Sequence, residues 1–274
     1  MTLIRVMTFN INGSSVNLEK PEQSWENRAG MCARMIRRYS PDLIGIQEVE
    51  VPNIEFCREH LPEYDYDLGI EYDVAPYTAH SSILWKRERF KLLQSGKIWF
   101  SRTPDVPSSD WGVPYPMGAT WVWLQETQSN AQFLHINTHF EDGADGEQSR
   151  VESSKLIVAR MMQLAPSTPM IATGDFNCNP WSSAYRIFMA AGFTDTYHAA
   201  GLADSVGSST FHGYTGKEYF SLKWGSELFW RVDWILSRDG TQRLQTTSSV
   251  IVQDYESPTY PSDHYPVVSE MVLL

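Results

Sequence analysis

The stretch PMIATGDFNCNP, residues 169–180, decides the fold more than any other part of the sequence. Residues 169–173 form an apolar run that predicts a short buried strand. The glycine that follows allows a tight backbone path. Asp175 and Asn177 stand two positions apart, so strand alternation turns both side chains to one side before Pro180 ends the strand. A simple turn is the alternative, but the pattern favours two polar groups presented together at a sheet edge.

The same arrangement, an apolar strand followed by a polar side chain, occurs three times before this stretch. Strands are predicted for residues 3–9, 42–47 and 132–138, and they are followed by Asn10, Glu48 and His139. Packing explains Glu48 poorly, because burying a carboxylate without a partner is costly. A capping or solvated acid remains the alternative for Glu48. Taken alone, Asn10 fits a turn signal better than a site, and His139 equally fits a structural histidine.

Two further motifs lie near the end of the chain. Residues 231–236, RVDWIL, place Asp233 inside an apolar strand, and residues 261–266, PSDHYP, place Asp263 beside His264. A turn with a cap is the alternative for the Asp-His pair. Both motifs come just before or within late strands, which fits a role at a strand end.

The elements between these motifs predict the architecture. Helical patterns span residues 25–39, 146–165 and 182–191, and further strands are predicted at 81–85, 119–125 and 266–273. Strands and helices mix without a regular βαβ alternation, which favours two packed sheets with helices outside. Polar motifs occur on the first and last strands alike. We therefore expect one domain over residues 1–274.

The composition limits the class of partner. The chain has 22 basic and 33 acidic residues, a net charge of −11, which argues against long duplex DNA. We find no apolar run of about 18 residues and no signal-peptide pattern at the N-terminus, so we expect a cytoplasmic protein without a membrane partner. The three cysteines, Cys32, Cys57 and Cys178, cannot all pair, which fits a reducing compartment.

Together the motifs supply the groups that phosphoester hydrolysis requires. Glu48 and Asp263 offer carboxylates to a hard cation that prefers oxygen ligands, Mg²⁺ or Mn²⁺. His139 and His264 can transfer protons or stabilise charge, and the Asp-Asn pair of the GDFN motif can orient a water molecule. Zinc is disfavoured because no His or Cys pair has the usual ligand spacing.

The ordered set of motifs resembles the endonuclease/exonuclease/phosphatase superfamily over nearly the whole chain. The resemblance rests on IQE (46–48), THF (138–140), GDFN (174–177), RVDWI (231–235) and SDH (262–264), with SWENR (24–28) and TFHGY (210–214) similar to small bacterial members. It implies a four-layer α/β/β/α sandwich with two central mixed β-sheets packed face to face, and an active site at one edge.

The resemblance also implies a role for each motif residue. Glu48 and Asp263 would bind the metal, with Asn10 assisting, and Asp175 would orient or deprotonate the attacking water. Asn177 would bind phosphoryl oxygens or metal-bound water. His264, held by Asp233, would stabilise the transition state, and His139 would serve the leaving oxygen.

Three departures from the family pattern bear on activity. Many members carry Asp where Asn12 stands, a Glu near Ala79 and His80 that pairs with the histidine matching His139, and an Arg near Met117. These changes predict a thinner anionic shell for the metal, a missing or replaced partner for His139, and the loss of a phosphate contact with a change in substrate choice.

The substrate is a small phosphorylated metabolite or nucleotide in our first hypothesis, bound by a monomer. Candidate contacts are Arg28, His212 and Lys217 as substrate-binding residues, and Trp111, Tyr115, Trp224 and Trp230 as an aromatic rim. Two alternatives remain open: a nuclease that acts on RNA or single-stranded DNA ends, and a non-catalytic binding module that keeps the fold.

Overall fold

The protein folds into two β-sheets that lie face to face between helices. A computed structural model describes residues 2–15, 20–74, 77–219, 230–241 and 244–273. Within these ranges the strands are β1 Thr2–Asn10, β2 Leu43–Val49, β3 Tyr64–Val74, β4 Tyr77–Lys86, β5 Phe90–Trp99, β6 Gly118–Glu126, β7 Gln132–His139, β8 Met170–Asp175, β9 Thr194–Asp195, β10 Asp233–Arg238, β11 Leu244–Ile251 and β12 Val267–Leu273. The α-helices are α1 Trp25–Tyr39, α2 Val51–His60, α3 Glu147–Leu164, α4 Ser183–Ala190 and α5 Thr196–Ala199.

Each sheet has six strands of mixed direction. The first sheet has the order β11-β12-β1-β2-β4-β3, and the second has the order β5-β6-β7-β8-β10-β9. Each contains one central parallel pair, β1 with β2 and β7 with β8, while the neighbouring strands run antiparallel. The first and last strands of the chain, β1 and β12, therefore pair directly.

Three apolar clusters define the layers. One cluster lies between the sheets and includes Val6 and Leu43 from the first sheet with Leu124 and Ile171 from the second. A second cluster joins the outer face of the first sheet to α1 and α2. The third joins the outer face of the second sheet to α3 and α4. Burial on both faces of both sheets confirms the four-layer α/β/β/α fold predicted from the sequence.

A polar seam crosses the space between the sheets directly below the ends of β2 and β7. The Nε2 group of Gln47 donates to Oδ1 of Asn137 at 2.6 Å, and Thr173 Oγ1 donates to the same oxygen at 3.0 Å. The amide nitrogen of Asn137 donates to the carbonyl oxygens of Ile46 and Ser82, each at 2.9 Å. These bonds fix the register of the sheets against each other, because a shift would leave buried polar groups without partners.

The local sequence explains where the helices begin and end. Helix α1 ends at Ser40, which adopts a left-handed conformation before Pro41, and Arg37 and Arg38 lie in its last turn, where cations are favourable. Helix α4 begins after Ser182, whose hydroxyl accepts the backbone N–H of Tyr185. The predicted boundaries of these helices agree with the structure to within one residue.

Strands β3, β5 and β11, none of which the sequence analysis predicted, lie near or at the sheet edges. In β5 only Phe90 and Ile98 are buried, and in β11 no residue is fully buried. Such strands lack the apolar run that reveals β1 or β8. In the part of the chain that the structure describes, no helix is long and apolar enough to cross a membrane. The single-domain boundary of 1–274 stays a prediction.

Replacing Gly45 with alanine tests the seam. A Cβ at this position would lie 2.0 Å from Thr173 Oγ1 and 2.4 Å from Asn137 Oδ1, so the facing sheet would have to move. We expect Gly45→Ala to lower the free energy of unfolding by about 1–3 kcal/mol, measured by urea denaturation. Gly207→Ala is the control, because its Cβ would make one ordinary contact at 3.6 Å. Equal stability of the two variants would contradict the close approach of the sheets.

Candidate active site

The site lies at one rim of the sandwich, where the parallel strands of both sheets end. Strands β1 and β2 end there in the first sheet, and β7 and β8 end there in the second, while β10 and β12 begin at the same rim. The rim brings together eight predicted residues: Asn10, Glu48, His139, Asp175, Asn177, Asp233, Asp263 and His264. Residues up to 254 positions apart in sequence thus share one site.

The carboxylate of Asp175 lies at the centre of this group. Its side chain is 1% exposed, and its Oδ2 atom accepts a hydrogen bond from Asn10 Nδ2 at 3.0 Å. The Nε2 atoms of His139 and His264 each lie 3.6 Å from the same oxygen. Three nitrogen-bearing side chains from separate parts of the chain therefore face one carboxylate oxygen, which can accept a proton or orient a water molecule.

Asn10 joins the two sheets through its amide. Its Nδ2 donates to Glu48 Oε1 at 2.9 Å in the first sheet, in addition to Asp175 in the second. Its Oδ1 accepts the backbone N–H of Asn12 at 3.0 Å. The amide therefore directs its hydrogens toward the carboxylates and its oxygen toward the Asn12 backbone, and Asn10 as a metal ligand stays a prediction.

His264 lies between two carboxylates. Its Nδ1 is 2.9 Å from Asp233 Oδ2, and its Nε2 faces Asp175. Burial disfavours the charged ring, but the carboxylates of Asp233 and Asp175 outweigh burial and raise the pKa of His264 well above its ordinary value. The hydroxyl of Thr210 accepts the backbone N–H groups of Val232 and Asp233, which holds the start of β10 in place. The ring can thus present a charged N–H at the rim.

Asn177 is fixed by two bonds. Its backbone N–H donates to Asp175 Oδ1 at 2.9 Å, and its Nδ2 donates to the carbonyl oxygen of Phe140 at 2.8 Å. The second bond ties the GDFN loop to the residue that follows His139. The Asp-Asn spacing read from the sequence therefore produces a closed local turn that orients both side chains.

The backbone is left-handed at three positions of the rim. The φ angles are +51° for Asn12, +57° for Glu48 and +47° for Asn177. Asparagine tolerates this region, but glutamate rarely adopts it, since its Cβ approaches the backbone. Such conformations cost about 1–3 kcal/mol each and concentrate at functional sites. The twist at Glu48 turns its carboxylate away from the strand and toward Asn10 and His139.

The charges around Glu48 and Asp263 fit a divalent cation. Loss of solvent around the carboxylate raises the pKa of Glu48, His139 opposes the increase, and the negative charge of Asp263 adds to it. Glu48 keeps 29% of its side chain exposed, so solvent reaches the group. A cation bound by both carboxylates removes their repulsion and takes the oxygen ligands that Mg²⁺ and Mn²⁺ prefer. The residues present therefore suit such an ion.

A second group of ligand atoms lies deeper. Asp175, Asp233 and His264 each offer one ligand atom within 4.8 Å of the others. In this group both ring nitrogens of His264 already face a carboxylate, so an ion there would have to displace the ring from one of them, although Asp233 Oδ1 is buried without a hydrogen-bond partner among the described residues. Glu48 with Asp263 therefore remains the better candidate for the cation.

The predicted substrate contacts occupy different positions. Arg28 is 0% exposed and donates to backbone carbonyls, which contradicts its prediction as a substrate contact. His212 is 1% exposed and stacks on Tyr265, and burial lowers its pKa to about 3, so it is a neutral buried ring rather than a surface contact. Lys217 is exposed, and its contact with substrate stays a prediction.

The candidate aromatic rim is partly described. Trp111 and Tyr115 pack against the outer core of the second sheet, and the Tyr115 hydroxyl donates to Glu141. Trp230 is 39% exposed, and its ring lies 5.9 Å from that of Phe211, which in turn lies 5.0 Å from His264. Trp224 lies outside the described residues.

Two of the three departures from the family pattern have structural consequences. Ala79 packs in the outer core, and His80 is buried, which lowers its pKa. The Nε2 atom of His139 lies instead 4.0 Å from Glu48 Oε1 and 3.6 Å from Asp175 Oδ2. Met117 is a buried core residue. His139 thus finds carboxylates within the site itself.

The sequence analysis missed several residues that position the site. Ser262 donates to the carbonyl oxygen of Asn10 at 2.7 Å, and Asn12 donates to the Tyr214 hydroxyl at 3.0 Å. The hydroxyl of Thr210 accepts two backbone N–H groups at the start of β10. Each lies inside a stretch quoted for the resemblance, so position next to a motif is the signal that could have identified them.

Comparison with known proteins identifies the family. A model of the Endonuclease/Exonuclease/phosphatase family matches residues 7–264, and the chain belongs to that family, as the sequence motifs predict. A mannosyl-6-phosphatase of known structure from Bacteroides thetaiotaomicron VPI-5482 is 26% identical, with a TM-score of 0.85 over 98% of this chain and 100% of that one.

Two curated relatives match this chain over part of their own length. The uncharacterized protein L388 of Acanthamoeba polyphaga mimivirus is 30% identical over 56% of this chain and 59% of its own length. The CCR4-Not complex 3'-5'-exoribonuclease subunit Ccr4 of Emericella nidulans is 22% identical over 90% of this chain and 47% of its own length. The chain thus spans between about half and three fifths of these relatives, and the family includes both phosphatases and nucleases.

Removing the charge of Glu48 tests the cation site without any substrate. We expect Glu48→Gln to weaken Mn²⁺ binding by about tenfold or more, because a neutral amide replaces a carboxylate ligand. The measurement is calorimetric titration of metal-stripped protein. Glu55→Gln, at an exposed position on α2, is the matched control. Equal Mn²⁺ affinity in Glu48→Gln and the control would rule out Glu48 as a ligand.

Proposed function

We propose that this member of the Endonuclease/Exonuclease/phosphatase family hydrolyses a phosphoester of a small metabolite or nucleotide, with Mg²⁺ or Mn²⁺ held by Glu48 and Asp263. The observation that carries the proposal is the single oxygen of Asp175 faced by Asn10, His139 and His264 beside the Glu48 carboxylate. Few structural roles require an acceptor, two imidazoles and further acids within about 4 Å of one another.

Water attacks the phosphorus directly in the proposed reaction. Asp175 orients the water and accepts its proton, since its carboxylate is fixed by Asn10 at Oδ2 and by the Asn177 backbone N–H at Oδ1. The cation, when bound, neutralises charge on the phosphoryl oxygens. The reaction thus depends on positioned groups and on charge stabilisation, without a covalent intermediate on the protein.

The two histidines serve opposite sides of the reaction. His264, charged because Asp233 and Asp175 surround it, stabilises the negative charge that develops on the phosphoryl group. His139, which is 16% exposed and lies nearer the rim, donates a proton to the leaving oxygen. Asn177 keeps one amide hydrogen for a phosphoryl oxygen after donating the other to Phe140.

A small phosphomonoester suits this chain better than a polynucleotide. The net charge of −11 repels long polyanions, and Glu141 and Asp142 follow two and three positions after His139. Similarity to a mannosyl-6-phosphatase over the whole of both chains favours a phosphorylated, hydroxyl-rich metabolite. We extend the proposal to a cytoplasmic monomer that acts on soluble substrates and binds neither long duplex DNA nor membranes.

A nuclease that acts on RNA or single-stranded DNA ends is the second candidate. Similarity to an exoribonuclease subunit over 90% of this chain favours it, and exposed Trp230 could stack on a base. A binding module without catalysis is the weaker alternative, because both histidines and all four carboxylates of the rim are present and mutually positioned.

The test is a substrate panel with Asp175→Asn as the blank. We expect metal-stripped wild-type protein to release phosphate from phosphorylated sugars or nucleotides once Mg²⁺ or Mn²⁺ is added. We expect Asp175→Asn to lose about 100- to 10,000-fold in turnover, because the amide cannot accept a proton. Asp254→Asn, on the surface beside Arg38, is the control. Phosphate release and mass spectrometry report on monoesters, diesters and short oligonucleotides together.

The panel separates the candidates. Cleavage of oligonucleotides at enzyme concentrations that leave small esters intact would replace the first candidate by the second. Cation binding without turnover of any panel member would favour the binding module. Equal turnover by wild type and Asp175→Asn would show that the site assignment is wrong.

A further inference from the structure

Arg28 is a fully buried arginine whose guanidinium is occupied by the backbone of the active-site loops. Its side chain, in the first turns of α1, is 0% exposed and lies 5.3 Å from the ring of Trp25. Its five N–H groups meet five carbonyl oxygens: Nε donates to Gln23 at 2.8 Å, Nη1 to Ile11 and to Pro261 at 3.0 Å, and Nη2 to Asn12 and to Gly13 at 2.7 Å. No N–H group is left for a substrate.

The charge of Arg28 has no carboxylate partner among residues 2–15, 20–74, 77–219, 230–241 and 244–273. A buried cation is costly unless strong acceptors surround it. A packing role alone would be served by an apolar side chain of similar length. The planar fork of a guanidinium is instead suited to gathering several carbonyl oxygens, which a lysine ammonium cannot do at the same spacing.

Four of the five carbonyl groups that Arg28 gathers come from two catalytic loops, and the fifth, that of Gln23, lies just before α1. Three of them are consecutive, Ile11 to Gly13, and directly follow Asn10. They point to one cation because the chain turns through left-handed Asn12 and Gly13, with φ angles of +51° and +38°. The fourth belongs to Pro261, which directly precedes the Ser262-Asp263-His264 segment.

The two loops carry opposite halves of the site. Asn10 holds the carboxylates of Glu48 and Asp175, whereas the other loop carries Asp263 and His264. One further bond supports the same junction, from Ser262 Oγ to the carbonyl oxygen of Asn10 at 2.7 Å. Glu48 and Asp263, which lie on opposite sides of this junction, must keep a fixed spacing to share one cation.

We propose that Arg28 is a positioning residue, which sets the distance between the Asn10 loop and the Asp263-His264 loop by holding the carbonyl groups of both. It touches neither substrate nor cation and acts through the backbone. Its catalytic consequence rests on the proposed phosphoesterase function, but the coupling between the two loops does not.

The experiment compares Arg28→Lys and Arg28→Met with wild type by amide hydrogen exchange and by steady-state kinetics. Arg34→Lys is the matched control, since Arg34 lies on the same helix, is 58% exposed and pairs with Glu256. We expect exchange in both loops, residues 11–15 and 259–264, to rise about tenfold or more when the carbonyl bonds are lost, while the rest of α1 stays unchanged. Exchange is measured without substrate or cation.

The kinetic expectation is a fall in kcat without a matching change in KM. A displacement of about 1 Å between catalytic groups costs about 100-fold in rate, whereas KM should stay within about threefold because Arg28 makes no substrate contact. Faster exchange in both loops supports the coupling even if wild type turns over no phosphoester, and that result would count against the proposed function alone.

Three results would overturn the proposal. Exchange that rises only within α1, or equally throughout the protein, would give Arg28 a general structural role. Unchanged exchange and unchanged kcat in Arg28→Lys and Arg28→Met would show that Arg28 does not position the two loops. Failure of both variants to fold, with Arg34→Lys folding normally, would make Arg28 a determinant of the whole fold rather than of the site.

Discussion

The hydrogen bonds from the Asn10 amide to Glu48 and Asp175 hold the site together. These two carboxylates belong to different sheets, and Asp233 and Asp263 bring two further acids to the same rim. Four acids at close range repel one another, and burial increases the cost. The rim is stable because each acid has a compensating group: the Asn10 amide lies between Glu48 and Asp175, the His264 imidazole lies between Asp175 and Asp233, and a cation suits Glu48 and Asp263.

The packing of the two sheets brings these acids and their compensating groups together. Asn10 and Asp175 can meet only if β1 and β8 face each other closely and end at the same level. The apolar cluster between the sheets brings them together, and the polar seam of Gln47, Asn137 and Thr173 fixes their register. Gly45 permits the approach, because any side chain there would strike the facing sheet. The stability of the fold and the geometry of the site therefore both depend on the close contact between the two sheets.

The sequence predicted those parts of the molecule whose signals are local. Helix α1 and the buried central strands follow from apolar periodicity, and the GDFN and SDH stretches reveal polar groups at strand ends. Strands β3, β5 and β11 were missed because edge strands bury too little to show a period. The direction of the Asn10 amide and the burial of Arg28 could not be predicted, since the first depends on carboxylates from distant strands and the second on carbonyl groups that include one from a distant loop. Hydrogen bonds to carbonyl oxygens leave no pattern in the sequence of the acceptor.

The central claim is that the two sheets build one cation site from Glu48 and Asp263 beside a separate proton-transfer group around Asp175. A crystal structure of the protein with Mn²⁺, using the anomalous scattering of manganese, tests it most directly. The account predicts an anomalous peak bonded to carboxylate oxygens of Glu48 and Asp263, with His264 still between Asp233 and Asp175. A peak bonded instead to Asp175, Asp233 and His264 would contradict it, because the groups assigned to proton transfer and charge stabilisation would then be the metal ligands.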